Sequence, residues 1–418
     1  MEEYFFGDVS LGAQQLSDIL EGEFAESFFI KGELDYCLGT CLKRCPESIL
    51  DLITKEYKLE AGRGKGRKRY LKQLERKIIE EMPAQLETVS AQEFELLIKL
   101  AMEKGDVEEA VEGFSLQRKG WVFYYEKQSA IPIVPYEILN RLKGLAKDPG
   151  FVARMAYYEM LRSYISAFLN LYGVFEKKWL SDIIRKHDIP EESTNGASED
   201  TSEEKKPGTL DRTEISNEML EEAVIRLKEE SEDFGMEEEY IFNSDLGDDE
   251  DYKERFNAVK DIPYYEPSME DIMLYRDNCI NKNLKEYQIL KRYLSKKVDD
   301  NVKLERLLDE LSIEVVEELG GIFAISEIIE RYEGVFSSVG ELKEFEQLFR
   351  NWEDHVRKWN NHGFTNAEMK ERGKNGSCVK IDWDLAKIKF KDNTPDPEAP
   401  CPCGSGKKYR QCCKRLKL

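Results

Sequence analysis

Along most of this chain, leucine, isoleucine and aromatic residues recur every three or four positions with glutamate and lysine between them, as in Leu304-Glu-Arg-Leu-Leu-Asp-Glu-Leu311. That period lays apolar side chains along one helical face and predicts a body of mostly short helices. Cys37, Cys41 and Cys45 keep the same four-residue step, so they read as small apolar core positions on a helix rather than as ligands. The texture changes at Gly120-Trp-Val-Phe-Tyr-Tyr125 and Ile131-Pro-Ile-Val-Pro-Tyr-Glu-Ile138. These stretches are rich in β-branched and aromatic residues, and Lys127-Gln-Ser between them suits a turn, which predicts a β-hairpin.

Punctuation divides the chain. Residues 189–212 are almost wholly Pro, Glu, Ser, Thr, Asn, Gly and Lys, a composition that buries too little apolar surface to offset its ordering entropy, and predict a disordered linker. Proline and aspartate mark a second linker over 389–400. The organisation expected is a helical region 1–188, the linker 189–212, a second helical domain 213–388, the linker 389–400 and a terminal module 401–418. Within the first region, a helix from Phe94 to Met102, a turn at Gly105, a second short helix and the hairpin together resemble a winged helix over 91–145. Winged helices bind DNA or protein alike, and no basic recognition helix precedes this hairpin, which favours protein packing. The aromatic face Tyr157, Tyr158, Tyr164, Phe168, Tyr172 reads as core, and Asp245–Asp251 as a solvated turn. Gly173 and Gly321 each precede an apolar run that reads as a helix start, and Thr365 with Glu368 has the spacing of a capping box. The fold class expected is mainly α and multi-domain.

Charge narrows the function. Over 418 residues the formal net charge is -22, so long-range repulsion argues against a surface given over to nucleic acid. The first residues, Met1-Glu-Glu-Tyr-Phe-Phe, lack a basic leader pattern, and no apolar run reaches the length of a membrane span. Nine cysteines, an odd number and several of them isolated, point to the reducing cytoplasm.

The chemistry is concentrated at the end, in Cys401-Pro-Cys-Gly-Ser-Gly-Lys-Lys-Tyr-Arg-Gln-Cys-Cys413. A Cys-x-Cys pair followed by small residues makes a tight knuckle, and the pair Cys412-Cys413 completes four thiolates, the closed tetrahedral set that suits structural Zn²⁺. Iron accepts the same four thiolates, and ligand identity alone does not separate the two metals. A phosphate-loop reading of Gly-Ser-Gly-Lys-Lys fails, because Cys401 and Lys408 stand where Walker A requires Gly and Ser or Thr. Lys407, Lys408, Arg410, Lys414, Arg415 and Lys417 surround the thiols with no acidic residue between 401 and 418, which predicts a basic face.

This stretch resembles the SEC-C motif, a small zinc domain at the C-terminus of the preprotein translocase motor ATPase and of many bacterial proteins of unrelated architecture. The pattern Cys-x-Cys, eight residues including Gly-Ser-Gly, then Cys-Cys is met by Cys401, Cys403, Cys412 and Cys413. The resemblance implies Zn²⁺ on those four residues and, by analogy with the translocase, a protein partner such as a chaperone or the ribosome. It covers less than a twentieth of the chain.

A second candidate is the basic stretch Arg63, Lys65, Arg67, Lys68, Arg69, expected as a loop between helices and resembling in texture the helix-loop-helix units at the N-terminus of the Rho termination factor. Such a cluster offers salt-dependent phosphate contacts and supports an alternative reading as a nucleic-acid-binding regulator. The three histidines, His187, His355 and His362, fall in no hydrolase, metalloprotease or kinase pattern. His355 and His362 read as a surface pair, with Gly363 ending their helix. No catalytic constellation emerges, and the expectation is a non-catalytic adaptor with a zinc module.

Overall fold

The computed structural model of the chain describes residues 3–6, 9–12, 28–60, 66–102, 114–126, 130–187, 217–230, 234–246, 249–391, 398–400 and 405–412. Among these, sixteen α-helices accompany seven short antiparallel strands, so the helical period is realised. The chain divides into two compact units, Met1–Arg162 with Asp188–Ser231, and Ser163–His187 with Glu232–Leu418. The linker expected over 189–212 and residues 392–397 of the second one lie outside the described residues.

In the first unit the helix Arg67–Glu87 shows spacing becoming packing. Tyr70, Leu74, Ile78, Met82 and Leu86 fall every fourth residue, and all five are buried. They meet Leu38, Cys41 and Leu42 of Leu38–Arg44 and Ile49, Leu50 and Ile53 of Glu47–Glu56 in one core. Two of the three spaced cysteines are therefore core, while Cys37 is exposed at the helix start. Burial pushes the Cys41 thiol up to about 12 and raises Cys45 as well, which makes both poor nucleophiles.

The hairpin forms, with Phe123–Glu126 antiparallel to Ala130–Ile133 and Phe123 opposite Ile133. Ile30 bridges the other side of the first strand, its N–H donating to Tyr124 O at 2.8 Å. Trp121 through Tyr125 are each at most 1% exposed, so this hairpin is core and does not project as a wing. Its second strand stops at Ile133 instead of reaching Ile138, because Pro135 caps the helix Tyr136–Leu145. The turn expected at Gly105 lies outside the described residues.

The helix Asn217–Glu230 was expected to open the second domain and instead belongs to the first unit. Leu220, Ala223, Val224 and Leu227 are buried, Arg226 donates to Tyr158 Oη at 2.7 Å and Ala84 O at 2.8 Å, and Glu230 pairs with Lys119 at 2.6 Å. Conversely, residues 163–187 pack with the second unit, moving both expected boundaries.

The second unit carries a small sheet that periodicity did not predict. Tyr240–Asn243 lies between Val174–Glu176 and Phe234–Glu237, with Val174 opposite Phe242. Gly173, at φ +70, turns the chain into the first of these strands, and a Cβ there would stand 2.4 Å from the Trp359 ring. Gly321 also has positive φ, at +75, and the helix Ala324–Arg331 starts three residues on. The remaining core comes from Lys285–Leu294, Asn301–Glu317, Ala324–Arg331 and Val339–Glu353, through residues such as Leu290, Leu311, Ile325, Phe349 and Trp352. Thr365 and Glu368 form the expected capping box on Asn366–Glu371. After that helix, residues 374–391 run without helix or strand along the unit, burying Val379 and Ile388. No helix among the described residues is long and apolar enough to cross a membrane.

Candidate metal centre

The terminal segment folds back on itself. Pro400 bridges Lys408 in an antiparallel pair, and Gly406 turns the chain between them at φ +71, a conformation that favours glycine. The short 3₁₀ turn Tyr409–Gln411 follows, with Gln411 N–H donating to Lys408 O at 2.9 Å. This return brings Cys412 Sγ to 3.2 Å from Ser405 Oγ, two residues along from Cys403. Cys401, Cys403 and Cys413 lie outside the described residues, and among those described no three His, Cys, Asp or Glu side chains gather as a metal cluster. The residues present nonetheless fit a metal knuckle. The chain reversal sets the partly buried Cys412 sulfur beside the Ser405 hydroxyl, and a hydroxyl there resembles the outer contacts that orient thiolate ligands.

The rim departs from the expected unbroken basic face. Glu398 takes both Lys408 and Arg410 at 2.7 Å, while Lys407 is exposed. Half-exposed pairs of this kind contribute only about 0–1 kcal/mol, so their effect is on local charge, not on stability. The acidic residue that quenches these cations sits just ahead of the cysteine pattern, which is why a reading confined to 401–418 missed it.

In sequence, this turn is flanked by two cysteine pairs. Residues 399–415 match the SEC-C motif. No curated protein and no solved structure matches the chain.

The basic stretch is divided by the fold. Arg63 and Lys65 lie outside the described residues, whereas Arg67, Lys68 and Arg69 form the first turn of Arg67–Glu87 instead of a loop. Arg67 pairs with Glu47, and Lys68 and Arg69 are exposed. Cations at a helix N-terminus oppose the helix dipole, so their placement owes nothing to helix stability. Arg69 and Lys58 border an open hollow of about 490 Å³ that Glu60 also lines.

The histidines do not converge. His187 shares hydrogen bonds with Tyr164 Oη and Pro267 O, and exposed His355 contacts Asn351 O through Nδ1. His362 is only 2% exposed, contrary to the surface pair expected. Its ring lies against Tyr264, Tyr172 and Phe256, with Nδ1 at 2.6 Å from Ile262 O and Nε2 without a partner. Burial lowers its pKa to about 4.

The largest polar feature was not legible beforehand. Lys358 is fully buried and donates to Glu318 Oε1, to Glu353 Oε1 at 2.8 Å and to Ser377 O at 3.0 Å. Glu353 Oε1 also accepts Val379 N–H at 2.6 Å, and Asn361 Oδ1 accepts Ser377 N–H at 2.8 Å. Three buried side chains thus hold the backbone of the segment that leads to the module.

Proposed function

We propose that the chain is a non-catalytic, cytoplasmic binding protein whose terminal SEC-C module holds one Zn²⁺ through Cys401, Cys403, Cys412 and Cys413 and docks a protein partner. The observation that carries this is the match of 399–415 to the SEC-C motif with all four thiols of the pattern present. A closed set of four thiolates leaves no open coordination position, so the metal organises the knuckle and presents its surface. By the family's analogy, the partner class is a chaperone or the ribosome.

The test has two readouts. Metal analysis of the purified chain gives about one zinc per chain, lost in Cys401→Ser/Cys403→Ser. Ribosome cosedimentation and chaperone capture from cytosol then compare the two forms, with and without nuclease. Capture that vanishes with the thiols supports the reading. Capture that survives their loss and disappears with nuclease or raised salt would transfer the function to nucleic acid, and Lys68→Ala/Arg69→Ala should then weaken it.

A further inference from the structure

Residues 376–391 cross the second unit without helix or strand. Half of their side chains are exposed, with Val379 and Ile388 buried and Ile381, Trp383 and Phe390 packed at the edge. Their backbone, by contrast, is read in detail. Ser377 N–H and O contact Asn361 and Lys358, and Val379 N–H and O contact Glu353 and Arg350. Farther along, Asp382 N–H donates to Ile322 O at 2.9 Å, Asp384 N–H to Ser326 Oγ at 3.2 Å and Lys391 N–H to Phe336 O at 2.7 Å. Main-chain contacts with pockets for alternate side chains are the way protein grooves recognise extended peptides.

Two further observations separate this arrangement from an ordinary terminal tail. Beneath Ser377 and Val379 lie two paired charged side chains taken out of water, Glu353 at 1% and Lys358 at 0% exposure. Buried ion pairs contribute little net stability compared with apolar packing of the same volume, and their best-attested use is to fix register. Register is also enforced sterically, since a Cβ on Gly376 would stand 2.1 Å from Oδ1 of the fully buried Asn366. At the entry, Gly373 has φ +69 with open space around it, and Lys374 and Asn375 are exposed.

We infer that the second unit contains a groove for an extended peptide, filled in cis by residues 376–391, and that its outside ligand is a protein segment of the same chemistry: Gly-Ser, then a branched aliphatic residue two positions on, followed by an aromatic residue. This deepens the binding-protein reading by giving the body a ligand class, while the zinc assay above stands or falls independently of it. Occupancy in cis would hold the groove closed until the strap lifts, and the strap is joined directly to the segment carrying the SEC-C module.

The test keeps the whole chain. A protease site introduced at Lys374-Asn375 allows the strap to be cut free while all residues remain present, and a fluorescent peptide of residues 374–391 is then added. The nicked chain should exchange its strap for the labelled peptide without loss of helical circular dichroism. The uncut chain should bind the peptide at least about a hundredfold more weakly, because the tethered strap competes at high effective concentration. Peptides carrying Gly376→Ala or Val379→Asp should fail to enter. Equal binding of the Gly376→Ala peptide would overturn the inference. If the nicked chain unfolds, hydrogen exchange in the uncut chain decides: the Ser377 and Val379 amides should open at least tenfold more often than those of Leu311 and Phe349. Opening of all four only by global unfolding would make the strap ordinary core and end the proposal.

Discussion

Lys358→Met removes one buried cation and leaves its neighbours in place, which makes it the sharpest probe of the second unit. In the wild type the ammonium group satisfies Glu318, Glu353 and the Ser377 carbonyl with no solvent exposure. After substitution, Glu353 retains Arg350 at 2.7 Å and the Val379 N–H, and Glu318 retains Asn360 Nδ2 at 2.8 Å. Glu318 therefore loses its ion-pair partner while Glu353 keeps Arg350, and both carboxylates keep hydrogen bonding. Breaking a buried pair costs about 3–5 kcal/mol, and the surviving partners place this case near the lower end, about 3 kcal/mol. Urea unfolding followed by the fluorescence of Trp352, Trp359 and Trp383 should report a lower midpoint at unchanged slope. Adding Glu318→Gln removes a carboxylate that the first change stranded, so the double variant should cost no more than Lys358→Met alone. A loss below about 1 kcal/mol for Lys358→Met, the range of an exposed pair, or simple additivity in the double variant, would refute the reasoning.

Other consequences follow from single sites. Because burial holds the folded-state pKa of His362 at about 4, below the unfolded value of 6.5, its contribution is present above 6.5 and lost as pH falls toward 4. The unit should lose about 2 kcal/mol between pH 7 and 5 from this group, and His362→Asn should flatten that slope in pH-dependent denaturation. Gly173→Ala adds a Cβ 2.4 Å from the Trp359 ring at a positive φ, which should cost more than about 2 kcal/mol in the same urea assay. Maleimide labelling of the native chain at pH 8 should modify exposed Cys37 and Cys378 well before Cys41 and Cys45, and mass mapping of early time points checks the order.

Helices were legible because their period outlasts noise: Tyr70, Leu74, Ile78, Met82 and Leu86 repeat one contact five times, and any reading frame for the helix finds them. The sheet of the second unit was not. Its strands are three or four residues long, too short for a two-residue alternation to register, and its outer strand Val174–Glu176 runs directly into the helix Lys177–His187. Unit membership has no local signal for a related reason. Composition located the break near 189–212, yet contacts such as Arg226 to Tyr158 decide which side a helix joins, and a contact between residues 68 apart has no local signature.

The cysteine motif and the buried lysine differ in legibility for the same physical reason. Cysteine motifs carry their signal in their spacing, so Cys401, Cys403, Cys412 and Cys413 match the SEC-C pattern without reference to the rest of the chain. A buried Lys358 announces nothing, because lysine and glutamate fill exposed positions along most of this sequence and only Glu318, Glu353 and Ser377, drawn from three separate stretches, turn this one into core. Such a residue is tolerated only where its partners are all present at once. The backbone of the strap supplies one of them, so the strap cannot leave without exposing the charge to new partners, either water or another extended chain. That requirement ties the polar core of the body to the segment bearing the SEC-C module.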